Sequence, residues 1–368
     1  MKRFIISLFI ILLLTSCQQS TSTIPDKEYE IFNESTSLVV HFMDVGQGSA
    51  TLFHLTEDEN EYVILYDVGD WQRNDIVPYL EQQNIDAIDL IIVSHPHADH
   101  IGQLDKVVER FEVDEIWMSG NTTDSEVFIQ AMEAILESDA NYVEPRAGES
   151  YELGSLHLSV IHPENLTGDL NEDSLSIHFR FGQISFLLTG DASKNEELQM
   201  LERTDQIEAQ ILQLGHHGSN TSSDPEFIRA VNPEVAIYSA GVDNSYGHPH
   251  DEVIEYLSKE NITVYGTDVD GTIIIETDGK KYDVKTTEKT KTENISLNNE
   301  NKMEDCIDIN RASEELLIEI IHIGEVRAKE LIELRPYDSV DELIEIDGIG
   351  PSKLADIKEE GKACVGGD

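Results

Sequence analysis

The segment Ser94-His95-Pro96-His97-Ala98-Asp99-His100 sets three imidazoles and a carboxylate within six residues. Nitrogen and oxygen donors in that mixture suit a divalent ion such as zinc. A lone histidine is more often a structural residue, but four donors at this spacing predict a metal site. His95 and His97 fall on one face and can share one ion, while Asp99 and His100 face a second ion beside it.

Presenting such a cluster requires a buried element ending just before it. Leu90-Ile91-Ile92-Val93 is a short, branched, continuously apolar run that reads as that strand. From Ser37 onward strand-like runs alternate with helical ones, the pattern of an α/β body. Strands are predicted at Leu38–Met43, Tyr62–Tyr66, Leu90–Val93, Glu115–Met118, Leu156–His162, Ser176–Phe181, Ile184–Thr189, Ala209–Leu214, Val235–Ser239, Ile262–Tyr265 and Thr272–Glu276. Helices are predicted at Ile76–Gln83, Leu104–Phe111, Ser125–Glu137, Lys194–Glu202, Pro225–Val231 and Asp251–Glu260. That supplies two sheets and helices to cover them. After Asp283 the chain is Lys, Thr, Glu and Asn with hardly an apolar residue up to about Asp305, and reads as a linker.

The chain has 368 residues, 39% of them hydrophobic, enough for one large core and a small second domain. Its formal net charge of −48 argues against a general electrostatic grip on nucleic acid. A polyanionic substrate would need local help from metals, backbone N–H groups or a few lysines. Lys2 and Arg3 precede an apolar run too short for a comfortable membrane span, which matches a secretory signal. Leu14-Thr15-Ser16-Cys17 resembles a bacterial lipobox, which implies cleavage before Cys17 and a lipid anchor on it. An uncleaved anchor helix is the alternative, and either arrangement places the body outside the cytoplasm. The expected divisions are a signal at 1–16, a spacer at 17–36, a body at 37–285, a linker at 286–304 and a compact helical segment at 305–365. Cys306 and Cys364 bracket that last segment. In an oxidising exterior they can pair, a loop closure worth about 4 kcal/mol on the chain-entropy account, and two free thiols are the alternative.

With the residues that follow it, the opening cluster resembles the metallo-β-lactamase superfamily, whose hydrolases carry HxHxDH at a strand end and bridge two metals with a later aspartate. The resemblance implies an αββα sandwich and two divalent ions, zinc or manganese. It implies that Asp191, ending Ile184-Ser185-Phe186-Leu187-Leu188-Thr189-Gly190-Asp191, is the bridging carboxylate. Asp67, in Tyr66-Asp67-Val68-Gly69, would brace a metal ligand from behind. By analogy with nucleases of the superfamily, His248 is expected as a ligand. His216 or His217, with Gly218 and Ser219, is then expected beside the substrate phosphate, and the reverse assignment stays open. Phe42 to Ala50, His216 to Ser219 and Asn244 to Pro249 together look like the extracytoplasmic hydrolase domain of ComEC competence proteins, over about residues 38 to 285. Gly46, Gln47, Gly48 and Ser49 would bring N–H groups and a hydroxyl close to an anion, or form an ordinary tight turn.

Two departures matter. Asn171 stands where the superfamily has a third histidine for the first metal. A neutral amide is a poor zinc ligand but acceptable to a harder ion such as manganese or magnesium. His162 is a nearby substitute, although a core or surface histidine is the plainer reading. Gln103 stands where relatives show a second glycine.

Near the C-terminus, Ile323-Gly324 and Ile346-Asp347-Gly348-Ile349-Gly350-Pro351-Ser352-Lys353-Leu354 look like the turns of two helix-hairpin-helix units. The segment resembles the ComEA-type DNA-binding domain, a small all-α fold. There Gly324, Gly348, Gly350 and Lys353 would face a DNA phosphate from helix N-termini. His322 holds a position where glycine is usual, and residues 304–368 carry 18 acidic side chains against 7 Lys plus Arg, a net of −11. Lys353, Lys358 and Lys362 give only a local basic edge, so protein docking or a structural role competes with DNA contact.

The expectation is thus a metal-dependent phosphodiesterase acting on nucleic acid outside the cell, chiefly DNA, with Asp99 also accepting a proton. A role in DNA import would need a membrane channel as partner. The rival within enzymes is hydrolysis of a small ester, lactone or thioester. The rival outside enzymes is a non-catalytic DNA-binding surface lipoprotein.

Overall fold

The computed structural model describes residues 36–204 and 206–287 and, within 307–365, all but 311, 313–316, 319, 336, 338, 347, 351–352, 355–356 and 359–361. The expected signal segment, the lipidation site Cys17, the spacer to residue 35, the linker between 288 and 304, and Cys306 lie outside the described residues. Contacts divide the chain into two units, Met1–Lys291 and Thr292–Asp368.

In chain order the strands of the first unit are β1 (Thr36–Phe42), β2 (Thr51–Glu57), β3 (Asn60–Tyr66), β4 (Ala87–Ile92), β5 (Glu112–Trp117), β6 (Asn141–Val143), β7 (Ser150–Leu153), β8 (Leu156–His162), β9 (Ser176–Phe181), β10 (Ile184–Leu188), β11 (Ile211–Gln213), β12 (Val235–Tyr238), β13 (Thr263–Gly266), β14 (Ile273–Thr277) and β15 (Tyr282–Thr286). Its helices are α1 (Ile76–Gln82), α2 (Leu104–Arg110), α3 (Glu126–Glu137), α4 (Lys194–Arg203), α5 (Pro225–Val231), α6 (Asp251–Lys259) and α7 (Thr267–Asp270). One sheet has the order β15-β14-β1-β2-β3-β4-β5-β6 and the other β13-β12-β11-β10-β9-β8-β7.

The two sheets face each other across one core. Because side chains alternate along a strand, β4 sends Leu90 and Ile92 into that core and Ile91 to the helices outside, which explains its unbroken apolar sequence. Phe53 of β2 stacks on Phe179 of β9 at 4.2 Å between ring centres and meets Phe186 of β10 edge-on at 5.6 Å. Helices α1 to α3 cover the first sheet and α4 to α6 the second. The architecture is the expected αββα sandwich.

Four strands had no clear sequence signal. β6, β7 and β15 are short edge strands in which no residue is fully buried, so they lack an apolar run. β2 divides its apolar residues between two layers, Leu52 outward and Phe53 and Leu55 inward, around the half-buried His54.

β3, β4 and β5 run parallel, as do β10, β11, β12 and β13, so their C-terminal ends gather at one edge of each sheet. The two edges are joined there: Leu175 N–H donates to Ser94 O at 2.8 Å, and the Tyr66 hydroxyl donates to Leu175 O at 2.6 Å.

On β1, His41 is turned to the helix layer, where its Nδ1 lies 2.8 Å from the Tyr79 hydroxyl. Burial, assisted by His54, pushes its pKa down to about 4 from the ordinary 6.5. The folded state therefore refuses a proton that the unfolded chain accepts. Stability from neutral His41 is present above pH 6.5 and is lost as pH falls towards 4, on the order of 3 kcal/mol across that window. Denaturant titrations of wild type and His41→Gln should converge by that amount over the window. Parallel curves would contradict the assignment.

The second unit packs Ile309, Leu317, Ile320, Ile323, Ala328, Leu331, Leu343, Ile346, Ile349 and Ile357 around Tyr337. α8 (Glu325–Glu333) starts at Gly324, and a short 3-10 turn spans Val340–Glu345. Two short parallel strands, β16 (Ile307–Asp308) and β17 (Ala363–Cys364), add a small closure that the helical signature did not announce. Gly348 has φ 78° and Lys353 Nζ donates to Gly348 O at 3.0 Å, while Leu354 N–H donates to Gly350 O. His322 takes φ 64°, a left-handed conformation that glycine adopts with less strain.

Candidate metal centre

Five of the gathered strand ends, those of β3, β4, β10, β11 and β12, deliver the candidate residues. Asp67 follows β3, the His95-to-His100 segment follows β4, Asp191 follows β10, His216 and His217 follow β11, and His248 lies in the loop after β12. Gly190 has φ 57°, and a methyl there would lie 2.7 Å from Ser94 Cβ. Only glycine lets the Asp191 turn approach the His95 segment so closely.

Asp67 is fully buried. It accepts from Ser94 N–H at 2.7 Å and from the Ser94 hydroxyl at 3.0 Å, and its Oδ2 lies 2.8 Å from His100 Nδ1. A carboxylate in that position takes the Nδ1 proton and leaves Nε2 of His100 as the outward atom. His217 is set the same way: its Nδ1 donates to the carbonyl of Ser239 at 2.7 Å, and a carbonyl only accepts.

These outward nitrogens converge. His95, His100 and Asp191 form one group whose donor atoms lie within 4.8 Å of one another, and Asp99, His100 and His217 form a second. His95 Nε2 lies 2.8 Å from His97 Nδ1. His100 is common to both groups, and Asp191 of the first has Oδ1 3.4 Å from His100 Nε2 and Oδ2 3.7 Å and 3.6 Å from Nε2 of His95 and His216. Asp99 Oδ2 lies 3.3 Å from His217 Nε2 and 3.9 Å from His100 Nε2.

The imidazoles and carboxylates of the cluster shift one another's protonation strongly. Burial works against a charged His100, yet Asp191, Asp67 and Asp99 push it well above the usual histidine range. Burial likewise opposes the Asp191 carboxylate, which His100 and His95 hold well below the usual range, and Asp99 is lowered in the same way by His100 and His217. His95 itself is pushed well down by burial and by neighbouring His100. Nε2 of His100 and of His217 are buried without a hydrogen bond of good geometry. Such orphaned nitrogens facing carboxylates fit a divalent cation, which takes the place of a proton at the same atoms.

The expected site residues fall into distinct places. His217 joins a donor group and His248 does not; the His248 ring lies 6.0 Å from His217 and 5.5 Å from His216, with Nδ1 buried and unpartnered. Asn171 lies in the turn before Leu175, its Oδ1 buried and unpartnered. His162 is no ligand: Nε2 meets Glu172 O at 2.6 Å and Nδ1 meets Arg203 Nη1 at 3.2 Å, so both nitrogens are engaged.

In the Gly46-to-Ser49 turn three of the four N–H groups are engaged within the protein. Gly46 N–H is bonded to Asp44 Oδ1, Gly48 N–H to Gly46 O, and Ser49 N–H to Asp99 O at 3.0 Å. Gln47 Oε1 accepts from Gly241 N–H. Ser219 is spent internally as well: its N–H bonds to His216 O and its hydroxyl accepts from Thr221, while Gly218 packs on Pro249. His216 and His217 take φ 50° and 58°, a left-handed pair that non-glycine residues adopt only under constraint.

Several supporting residues carried no separate sequence signal. Gln213 bonds to Ser49 Oγ at 3.0 Å and to the Thr51 hydroxyl at 3.3 Å, linking the two sheets beneath the site. A polar residue in the apolar run Ile211-Leu212-Gln213-Leu214 is the mark that would have found it. Gln103 fills the place of the usual glycine by holding Asp75 and Ile76 N–H at the start of α1. Arg73 lies against Gly46, and Lys106 Nζ donates to Arg73 O, so two cations stand at the rim of an acidic protein. A cavity of about 1060 Å³ lies elsewhere, on the outer face of the second sheet, lined by His157, His178, Arg180 and Arg203 and by none of the donors above.

Comparison with known proteins places this geometry. The family model of the metallo-beta-lactamase superfamily matches residues 43–242, and that of the helix-hairpin-helix motif matches residues 303–360. ComE operon protein 3 of Bacillus subtilis is 28% identical over 250 residues, covering 64% of this chain and 32% of that protein. Recombination protein 2 of Haemophilus influenzae is 33% identical over 249 residues, covering 64% of this chain and 28% of that protein. The chain thus spans about a third of the length of these relatives. A protein named deoxyribonuclease from a Thioalkalivibrio species is 48% identical over 60 residues, 16% of this chain and 17% of its own. The superfamily match covers more than half of the sequence and its fold and donor set are those described above, so the chain belongs to the metallo-beta-lactamase superfamily and carries a helix-hairpin-helix motif towards its C-terminus.

Proposed function

We propose that this chain is a two-metal phosphodiesterase that cleaves nucleic acid, chiefly DNA, outside the cytoplasmic membrane, anchored there through a lipid on Cys17. The observation that carries the reading is the pairing, in one sequence, of an open His/Asp metal cluster with a helix-hairpin-helix motif. Relatives named for competence and recombination, and one named deoxyribonuclease, support it.

His95, His97 and Asp191 would hold one ion, and Asp99, His100, His217 and Asp191 the other, with zinc or manganese as the metal. Ions bound there supply Lewis acidity at phosphorus and lower the pKa of water. Asp67 and Ser239 fix the His100 and His217 rings so that Nε2 points inward. Asp99, whose side chain is 35% exposed, would orient a water and accept its proton. His216 and His248 border the cluster on the solvent side and would hold the phosphate oxygens. Lys106, and Arg73 in its pair with Asp75, would add local positive charge beside the site. Gly324, Gly348, Gly350 and Lys353 of the hairpin unit would grip the DNA backbone, raising its concentration at the site through the linker. Passage of DNA across a membrane would fall to a separate channel protein.

The test is to offer the purified chain DNA, RNA and a small ester with manganese, magnesium or zinc, with and without residues 304–368. Cleavage of DNA that needs the metal, and weakens when the hairpin unit is removed, is the expected result. Turnover of the ester without cleavage of either nucleic acid would sink the nuclease reading. Undiminished DNA binding after the deletion would refute the hairpin role and leave that acidic unit as a protein-docking element.

A further inference from the structure

Large aromatic side chains left in water call for a reason when they border a site. Three aromatic residues of the described first unit are prominently exposed: Tyr142 at 39% on edge strand β6, and Trp71 at 51% and Tyr246 at 66%, both in loops at the metal centre.

Both loops are rigidly held. Trp71 N–H donates to Ala98 O at 3.1 Å, and a methyl on Gly102 would lie 2.1 Å from Trp71 N, so the Trp71 backbone is packed directly on the loop that carries His97 and Asp99. Tyr246 is fixed by Asn244, whose Oδ1 accepts from Tyr246 N–H and His248 N–H and whose amide donates to Gly241 O and His248 O. The two loops abut the same Gly46–Gly48 turn, one through Arg73 against Gly46 and the other through Gly241 N–H on Gln47 Oε1.

Tyr246 also begins a series of near-parallel rings. It lies 5.7 Å from His248 at 19°, and His248 lies 6.0 Å from His217 at 19°. His217 is a donor of the metal cluster. A flat ring laid on the free face of Tyr246 would extend this series outward from the metal ligands to solvent.

We propose that Trp71 and Tyr246 are stacking platforms for unpaired bases of a single nucleic-acid strand, flanking the phosphate to be cleaved. The inference deepens the nuclease reading and rests on it. Stacking on an aromatic face tolerates any base, needs a base whose own face is free, and does not depend on positive charge. It therefore suits a chain of net charge −48, whose surface offers little general attraction to phosphates. In an intact duplex the base faces are covered by their neighbours, so the site takes single strands and frayed ends and disfavours closed duplex.

The test uses the full chain and two probes of equal length, an oligothymidylate and an abasic phosphodiester oligomer. The chain has two tryptophans and Trp117 is 1% exposed, so fluorescence quenching by an added strand reports Trp71. Rapid mixing with oligothymidylate should quench this signal, and the abasic oligomer should not. Trp71→Ala and Tyr246→Ala should each raise KM for oligothymidylate by about 5- to 150-fold, with kcat changed far less, and Tyr246→Phe should restore KM. Equal KM and equal quenching for the two probes would overturn the platforms while leaving a nuclease. Quenching by oligothymidylate alone, without cleavage, would keep the platforms and sink the nuclease.

Discussion

Asp191→Ala is expected to lower kcat/KM for DNA cleavage by on the order of 10³-fold or more, and to empty both ion positions together. Asp191 reaches three imidazoles at once, with one oxygen 3.4 Å from His100, the residue the two donor groups share, and the other 3.7 Å and 3.6 Å from His95 and His216. Its removal takes away the anion that offsets the buried imidazoles of His100 and His95 and that would face the bound metal. The effects of residues that act as a unit do not add, so His95→Ala on top of Asp191→Ala should cost little more. Metal content by mass spectrometry, beside the cleavage rate, checks this. An Asp191→Ala chain that keeps two ions and cuts at the wild-type rate would remove it from the site.

Asp67→Asn should have the next largest effect, although Asp67 is not among the donors. The amide oxygen can still accept from Ser94 N–H, but its NH₂ would then face His100 Nδ1. His100 must answer by moving its proton to Nε2, the atom the metal requires bare. Metal affinity is expected to fall by about 10- to 100-fold, with the fold retained. Asp67→Ala should lose affinity to a similar degree and also stability, about 1–3 kcal/mol for the buried Ser94 N–H left without a partner. Excess metal should rescue much of the activity of Asp67→Asn. Full metal affinity in that variant would show that the carboxylate does not set the His100 tautomer.

The chemistry of the site was legible wherever it is local. His95, His97, Asp99 and His100 share one loop, and the apolar runs ending at Val93 and Leu188 announce the strands that present them and Asp191. What stayed hidden depends on contacts between distant segments. His217 enters a donor group with its ring set by a hydrogen bond from Nδ1 to Ser239 O, 22 residues on. Ser49 looked free to meet an anion, yet its N–H is bound to Asp99 O and its hydroxyl to Gln213. Periodicity carries no information about such partners. It also fails at β6, β7 and β15, whose exposed residues give an edge strand no apolar face to read.

The central claim is that hydrolysis runs on two ions held by these side chains. The most direct measurement strips the chain of metal and follows its DNA cleavage as manganese or zinc is returned. The account predicts no cleavage at the start and a rise that levels off at two equivalents per chain. Cleavage that survives complete removal of metal would contradict it.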